Sequence, residues 1–185
     1  MFKTFLDRLY YSYEMLAYHI PFFAAAYIRF HAPSVNKELS LLHIKSTDRV
    51  LHIGCGAIPY TSFFIAQETG AHVTGIDHKP PIVKNAVHVL HRYSQSNNIS
   101  ITRGEGTTYD VSSFDIIIVS YGIAGQERIV RHVLSSSKPG TRVLVRTSTA
   151  KQNASLIGLI RPLIVNRARL LLTQESLLFV VPKTT

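Results

Sequence analysis

Short apolar runs alternate along this chain with longer stretches whose apolar residues recur every three or four positions. The runs "RVLHI" (49–53), "HVTGID" (72–77), "ISITRG" (99–104), "DIIIVS" (115–120) and "RVLVRT" (142–147) read as strands. Helical spacing fills the intervals at about 60–69, 80–93 and 125–137, and "SKPGT" (137–141) reads as a turn. Upstream, "SVNKELSLLHI" (34–44) opens on a serine cap with Glu38 behind it, which predicts a helix. Residues 2–30 carry Phe5, Leu9, Tyr13 and Leu16 at helical spacing, with a break or restart at Pro21. The tail predicts a basic helix over about 150–165, then strands "RLLLT" (169–173) and "SLLFVVP" (176–182) turning at "QE".

Strands alternating with helices imply a parallel sheet covered on both faces. The expected fold is α/β: a Rossmann-like, doubly wound, mostly parallel seven-stranded sheet with a C-terminal antiparallel hairpin and N-terminal helices. Residues 1–45 are expected to form a helical lid and 46–185 the ligand-binding domain. Five tyrosines fall within residues 10–27. They fit a packed aromatic seam or a lid over a substrate pocket.

Composition narrows the picture. The chain has 185 residues, the size of one domain with one core, and 46% of them are hydrophobic, too many for a disordered chain. Twenty Lys and Arg against eleven Asp and Glu give a net charge of +9, which attracts anions. No basic run interleaved with aromatics marks a nucleic-acid groove, so no nucleic-acid partner is expected. Cys55 is the single cysteine, so an internal disulfide is excluded and a reducing cytoplasm is the expected compartment. Asp7, Arg8 and Glu14 interrupt any apolar leader, and "IPFFAAAYI" is too short to span a bilayer.

The candidate chemistry gathers at strand ends. Gly54 and Gly56 stand between the first strand and the next helix, where glycine permits a tight turn and close approach of a ligand to main-chain N–H groups. The helix N-terminus behind them favours negative charge. His52 precedes this loop and Cys55 stands between its two glycines; the Cys55 side chain reads as packing and its backbone as functional. Asp77 closes the second strand, 21 residues after Gly56, where a carboxylate can accept two ribose hydroxyls or cap the following helix. His78 beside it joins the expected site. "RGEGTTYD" (103–110) offers Glu105 as an acceptor for an adenine amino group, with Gly106 keeping the backbone close; a solvated loop acid is the alternative. Ser120 and Tyr121 end the fourth strand and would border the reactive centre.

Taken in order, the G-x-G loop, Asp77, the acidic loop at 105, "FDIIIVS" and "KPGTRVLVR" resemble the class I S-adenosylmethionine-dependent methyltransferases over about residues 46–182. The resemblance implies S-adenosylmethionine as cofactor, and it explains a late antiparallel hairpin that a dinucleotide sheet lacks. His52 stands where that class has an acid, and Thr141 where it has the second glycine of a Pro-Gly-Gly turn. A narrower likeness is to nicotianamine synthases, whose loop Gly-x-Gly-x-Leu-Pro-x-Thr-Ser is close to "GCGAIPYTS" here, and whose later segments resemble "SYGIAGQERIVRHV" and "VRTSTAKQNASLI". Ala150 and Gln152 depart from the Gly and Arg of the last segment. Those enzymes transfer the cofactor's aminocarboxypropyl arm and carry an N-terminal helical domain that supplies an acid and a tyrosine. By this resemblance Glu14 and Tyr27 are the candidate catalytic residues, with Tyr121.

The expected function is methyl transfer from S-adenosylmethionine to a small-molecule acceptor, an amine by preference. Aminocarboxypropyl transfer is the alternative. A nicotinamide-dependent oxidoreductase and a non-catalytic binding module are further readings. His88 and His91 share a helix face but find no third ligand at a readable spacing, so no metal is expected. "SLIGLIRPLIVNRARLLL" (155–172) fits a core-facing helix with an edge strand, a membrane-surface contact or a homodimer face.

Overall fold

A computed structural model describes residues 33–93, 97–148, 154–169 and 174–182. Helix α1 spans 33–42. It is followed by β1 (Arg49–Ile53), α2 (Tyr60–Thr69), β2 (His72–Asp77), α3 (Pro80–Tyr93), β3 (Ile99–Arg103), β4 (Ile116–Val119), α4 (Gln126–Ser136), β5 (Arg142–Ser148), α5 (Ala154–Ile160), β6 (Ile164–Arg169) and β7 (Gln174–Val180). The seven strands form one sheet in the order β3-β2-β1-β4-β5-β7-β6. β1 pairs in parallel with β2 and β4, β2 with β3 and β4 with β5; β7 runs antiparallel between β5 and β6.

Strand alternation sorts the core into two layers. Leu51, Ile53, Ile117, Val119, Val143 and Val145 face α4 and α5 together with Ile129, Val130, Leu156 and Ile160. Val50, Ile116, Ile118 and Leu144 face the other side with Leu42 of α1 and Ile65 of α2. Helix α1 is therefore part of the sheet's packing. Its last carbonyls, those of Leu42 and His43, accept from the Arg142 guanidinium, which also pairs with Asp48 at 2.7 Å. Three elements are tied together there, and orphan helix-end acceptors are satisfied.

Two tail boundaries differ from expectation. The helix expected over 150–165 ends at Ile160, and a 3₁₀ turn, Arg161–Leu163, follows because Pro162 cannot continue an α-helical ladder. A hairpin is present, with strands Ile164–Arg169 and Gln174–Val180; the strand expected over 176–182 begins two residues earlier, and residues 170–173 of the one expected over 169–173 lie outside the described residues. Gln174 and Glu175, expected in the turn, are strand residues: Glu175 lies opposite both Thr147 and Arg169. The other boundaries move by one or two residues, and α2 and α3 span the expected ranges.

Candidate functional site

The sheet order reverses about β1, which has β2 on one side and β4 on the other. Crevices at the carboxyl ends of strands beside such a reversal are where open α/β sheets bind ligands. Gly54 (φ 77°) and Gly56 (φ 72°) both adopt left-handed backbone there. The amides of Gly54 and Cys55 donate to the same carbonyl, that of Ile76, at 2.9 and 3.0 Å. The loop is thus pinned to the end of β2, one residue before Asp77. The Ser120 amide donates to the Ile53 carbonyl at 3.1 Å, which brings the end of β4 against the loop from the other side. A Cβ built on Gly54 would lie 2.6 Å from Ile123 Cγ2 and 3.3 Å from Ser120 Cβ. Glycine is needed at 54 for both conformation and space.

Asp77 sits at the mouth, its side chain 13% exposed. Its Oδ1 accepts the Lys79 amide at 3.1 Å, so the capping role and a ligand role coexist on one carboxylate. His78 Nδ1 lies 3.6 Å from the same oxygen. The Asp77 carbonyl accepts the amide of Gly104 and so draws the 104–110 loop towards it. In that loop Glu105 is exposed, and its carbonyl accepts the amides of Thr108 and Tyr109. Gly106 is buried, and a Cβ there would meet Ile53 Cγ2 at 2.8 Å, so its smallness serves packing against β1. Tyr121 is 37% exposed beyond β4. Cys55 is buried, with its Cβ 3.1 Å from the position of a Cβ on Gly75, which fits a packing side chain. Glu14 and Tyr27 lie outside the described residues. His88 and His91 are exposed on α3, and no metal-holding cluster of His, Cys, Asp or Glu occurs among the described residues.

Beneath the glycine loop lies a buried polar layer that the sequence patterning did not reveal. The His52 ring is fully buried and bonded at both nitrogens: Nδ1 to Ser62 Oγ at 3.0 Å and Nε2 to Ser120 Oγ at 2.9 Å. Burial, with the Arg146 charge as a smaller cause, lowers its pKa from 6.5 to about 3, so the imidazole is neutral at physiological pH. Next to it the Arg146 guanidinium donates to Glu38 Oε1 and Oε2 at 2.8 and 2.6 Å and to Thr61 Oγ1 at 2.9 Å. Ser176 Oγ donates to Glu38 Oε1. Glu38, read in the sequence as part of a helix-capping signal, is instead one half of a buried ion pair. Gln126 Nε2 joins the two groups by donating to the Ser120 and Arg146 carbonyls, both at 2.8 Å. Arg146 had one legible sign: it occupies the same side of β5 as Leu144, where an apolar residue would be expected.

These features match known proteins in kind. The family model for protein-L-isoaspartate(D-aspartate) O-methyltransferase matches residues 3–167. The chain belongs to this family. It is a family of S-adenosylmethionine-dependent methyltransferases, and its cofactor is the one expected from the glycine loop and Asp77. No curated protein matches the chain by sequence. Among solved structures, an RNA methyltransferase from Salinibacter ruber in complex with S-adenosyl-L-homocysteine superposes with a TM-score of 0.67 at 17% identity, over 83% of this chain and 93% of that one. A mutant of the nicotianamine synthase MtNAS in complex with S-adenosylmethionine gives 0.65 at 21% identity, over 83% of this chain and 62% of that one. A precorrin decarboxylase from Methanobacterium thermoautotrophicum gives 0.64 at 19%, over 80% and 89%. The solved neighbours share the Rossmann-like fold of this chain. No helix among the described residues is long and apolar enough to cross a membrane.

Proposed function

We propose that this protein transfers the methyl group of S-adenosylmethionine to a small-molecule acceptor. The observation that carries this reading is the pinned loop: Gly54 and Cys55 both donate to the Ile76 carbonyl, which sets a left-handed glycine turn beside the Asp77 carboxylate. The residues fit the cofactor. Asp77 is a partly exposed carboxylate suited to two ribose hydroxyls, Glu105 is an acceptor at the end of the next strand, and the left-handed Gly54 and Gly56 give the tight turn that such a loop needs. When bound, the cofactor supplies an electrophilic carbon on sulfonium. The chain's part is to orient the acceptor in line, take up its proton and exclude water. Tyr121, exposed at the end of β4, is proposed to meet the acceptor. Glu14 and Tyr27 are proposed to act from the N-terminal segment.

Asp77→Ala is expected to weaken S-adenosylhomocysteine binding roughly ten- to a hundredfold, the range of about 1.5–3 kcal/mol for hydrogen bonds to a charged group. Titration calorimetry on the folded variant measures this. Unchanged affinity would remove Asp77 from the site and leave it only its cap on α3.

A second reading, aminocarboxypropyl transfer to an amine, rests on Pro59. It is buried at the start of α2 in a loop that resembles that of nicotianamine synthases. The two reactions leave different nucleosides. Methyl transfer leaves S-adenosylhomocysteine; arm transfer leaves methylthioadenosine. Turnover mixtures with an amine pool and with an isoaspartyl peptide are resolved by one chromatogram, and S-adenosylhomocysteine is the expected product. Methylthioadenosine that forms only with both enzyme and amine would establish the second reading. S-adenosylhomocysteine with the peptide alone would replace the small-molecule acceptor by a protein one.

A further inference from the structure

His52 stands at the end of β1, where methyltransferases of this class carry an acid. Its position rules out a simple exchange of one cofactor ligand for another, because neither ring nitrogen is open: Nδ1 faces Ser62 and Nε2 faces Ser120. A neutral imidazole donates from one nitrogen and accepts at the other. Ser120 Oγ therefore either accepts a hydrogen bond from Nε2–H and keeps its own O–H free to donate, or donates that O–H to Nε2 and offers only lone pairs. Ser120 is the member of the trio that reaches the loop: its Oγ would lie 3.8 Å from a Cβ on Gly54. Its carbonyl is fixed independently by Gln126, so the backbone beneath the hydroxyl is held as well.

We propose that His52 is a positioning residue that acts through Ser120, setting the hydroxyl that recognises the amino-acid end of the bound nucleoside. The inference rests on the cofactor reading given above. Two features separate this role from plain core packing. A buried imidazole between two serines is a costly way to fill space, since each polar group must be satisfied. The trio also lies directly under the left-handed loop, whereas the neighbouring Glu38–Arg146 pair ties α1 to the sheet. Among the described residues, Glu38 is the carboxylate in this layer, and Arg146 already engages both of its oxygens. The β1 side thus meets the amino-acid arm with an oriented neutral hydroxyl in place of a charge.

The test compares two nucleosides that differ in that arm. S-adenosylhomocysteine carries it complete; methylthioadenosine lacks it and keeps the adenine and ribose. Calorimetry is run with both on the full chain and on His52→Phe, Ser120→Ala and the double variant, each checked for folding by urea denaturation. Each single change is expected to lower S-adenosylhomocysteine affinity roughly three- to tenfold, the worth of one net hydrogen bond. The double variant should fall no further than either single one, because both remove the same contact. Methylthioadenosine affinity should stay within about twofold, below the effect of one such bond. If His52→Phe is unstable, His52→Gln, which keeps a donor and an acceptor, provides the folded comparison and is expected to retain part of the selectivity. Equal losses for both nucleosides, or losses that add in the double variant, would overturn the proposal and leave His52 a structural residue. A wild-type protein that binds neither nucleoside would instead overturn the cofactor reading itself.

Discussion

Glu38→Ala is expected to be the most destabilising single substitution on the surface between α1 and the sheet, at about 3–5 kcal/mol. Arg146 is only 7% exposed and its guanidinium cannot give up its proton, so without the Glu38 carboxylate it remains a buried charge. Glu38 is 1% exposed and offers both carboxylate oxygens to it. Thr61 and Ser176 also bond to the pair but carry no compensating charge. Against a typical stability of about 5–15 kcal/mol, the loss removes roughly a fifth or more of what holds a domain folded. Removing both charges at once is different. Glu38→Met with Arg146→Met replaces a desolvated pair by apolar side chains and is expected to cost far less than the single change. Urea denaturation of the three proteins checks both statements. A Glu38→Ala variant within about 1 kcal/mol of wild type would mean that water reaches Arg146 and that the pair is worth no more than a surface one.

The same network shows what the sequence could and could not reveal. The strand-helix alternation is legible because a doubly covered parallel sheet needs continuous apolar runs, and "IIIV" and "VLV" are such runs. The glycine loop and Asp77 were legible because their roles are local: a turn and a strand end at a known spacing. The buried polar layer depends on contacts across the chain. Glu38 meets Arg146 at a separation of 108 residues and Ser176 at 138. Nothing in the local spacing of Glu38 separates a helix-capping acid from half of a buried ion pair. The tail shows a related effect. The strand Ile164–Arg169 carries Asn166 and Arg167 among its apolar residues, so it lacks the continuous apolar run that marks a central strand. An edge strand faces one neighbour only, so it tolerates polar residues that a central strand does not.

Gly54→Val is expected to abolish measurable binding of S-adenosylhomocysteine while the sheet persists. Two costs act at the same residue. A φ of 77° is left-handed backbone, which costs a side-chain-bearing residue about 1–2 kcal/mol and a β-branched one more. The new Cβ would also stand 2.6 Å from Ile123 Cγ2, so the segment after β4 must move outwards. That segment begins at Ser120, which His52 and the Ile53 carbonyl hold against the loop, so the displacement runs through the site instead of relaxing at the surface. Gly54→Ala shares the first contact and should lose binding by about ten- to a hundredfold, as 1–3 kcal/mol of repacking implies. Gly140→Ala separates the two costs. Gly140 has a φ of 87° but nothing within 4 Å of a built Cβ, and it lies in the turn before β5, at the opposite ends of the strands. It should lower stability by the backbone strain alone and leave S-adenosylhomocysteine affinity unchanged. Calorimetry and urea denaturation on the three variants decide the matter: if Gly54→Val binds as wild type does, the 54–56 loop is a structural turn and the ligand site lies elsewhere on the sheet.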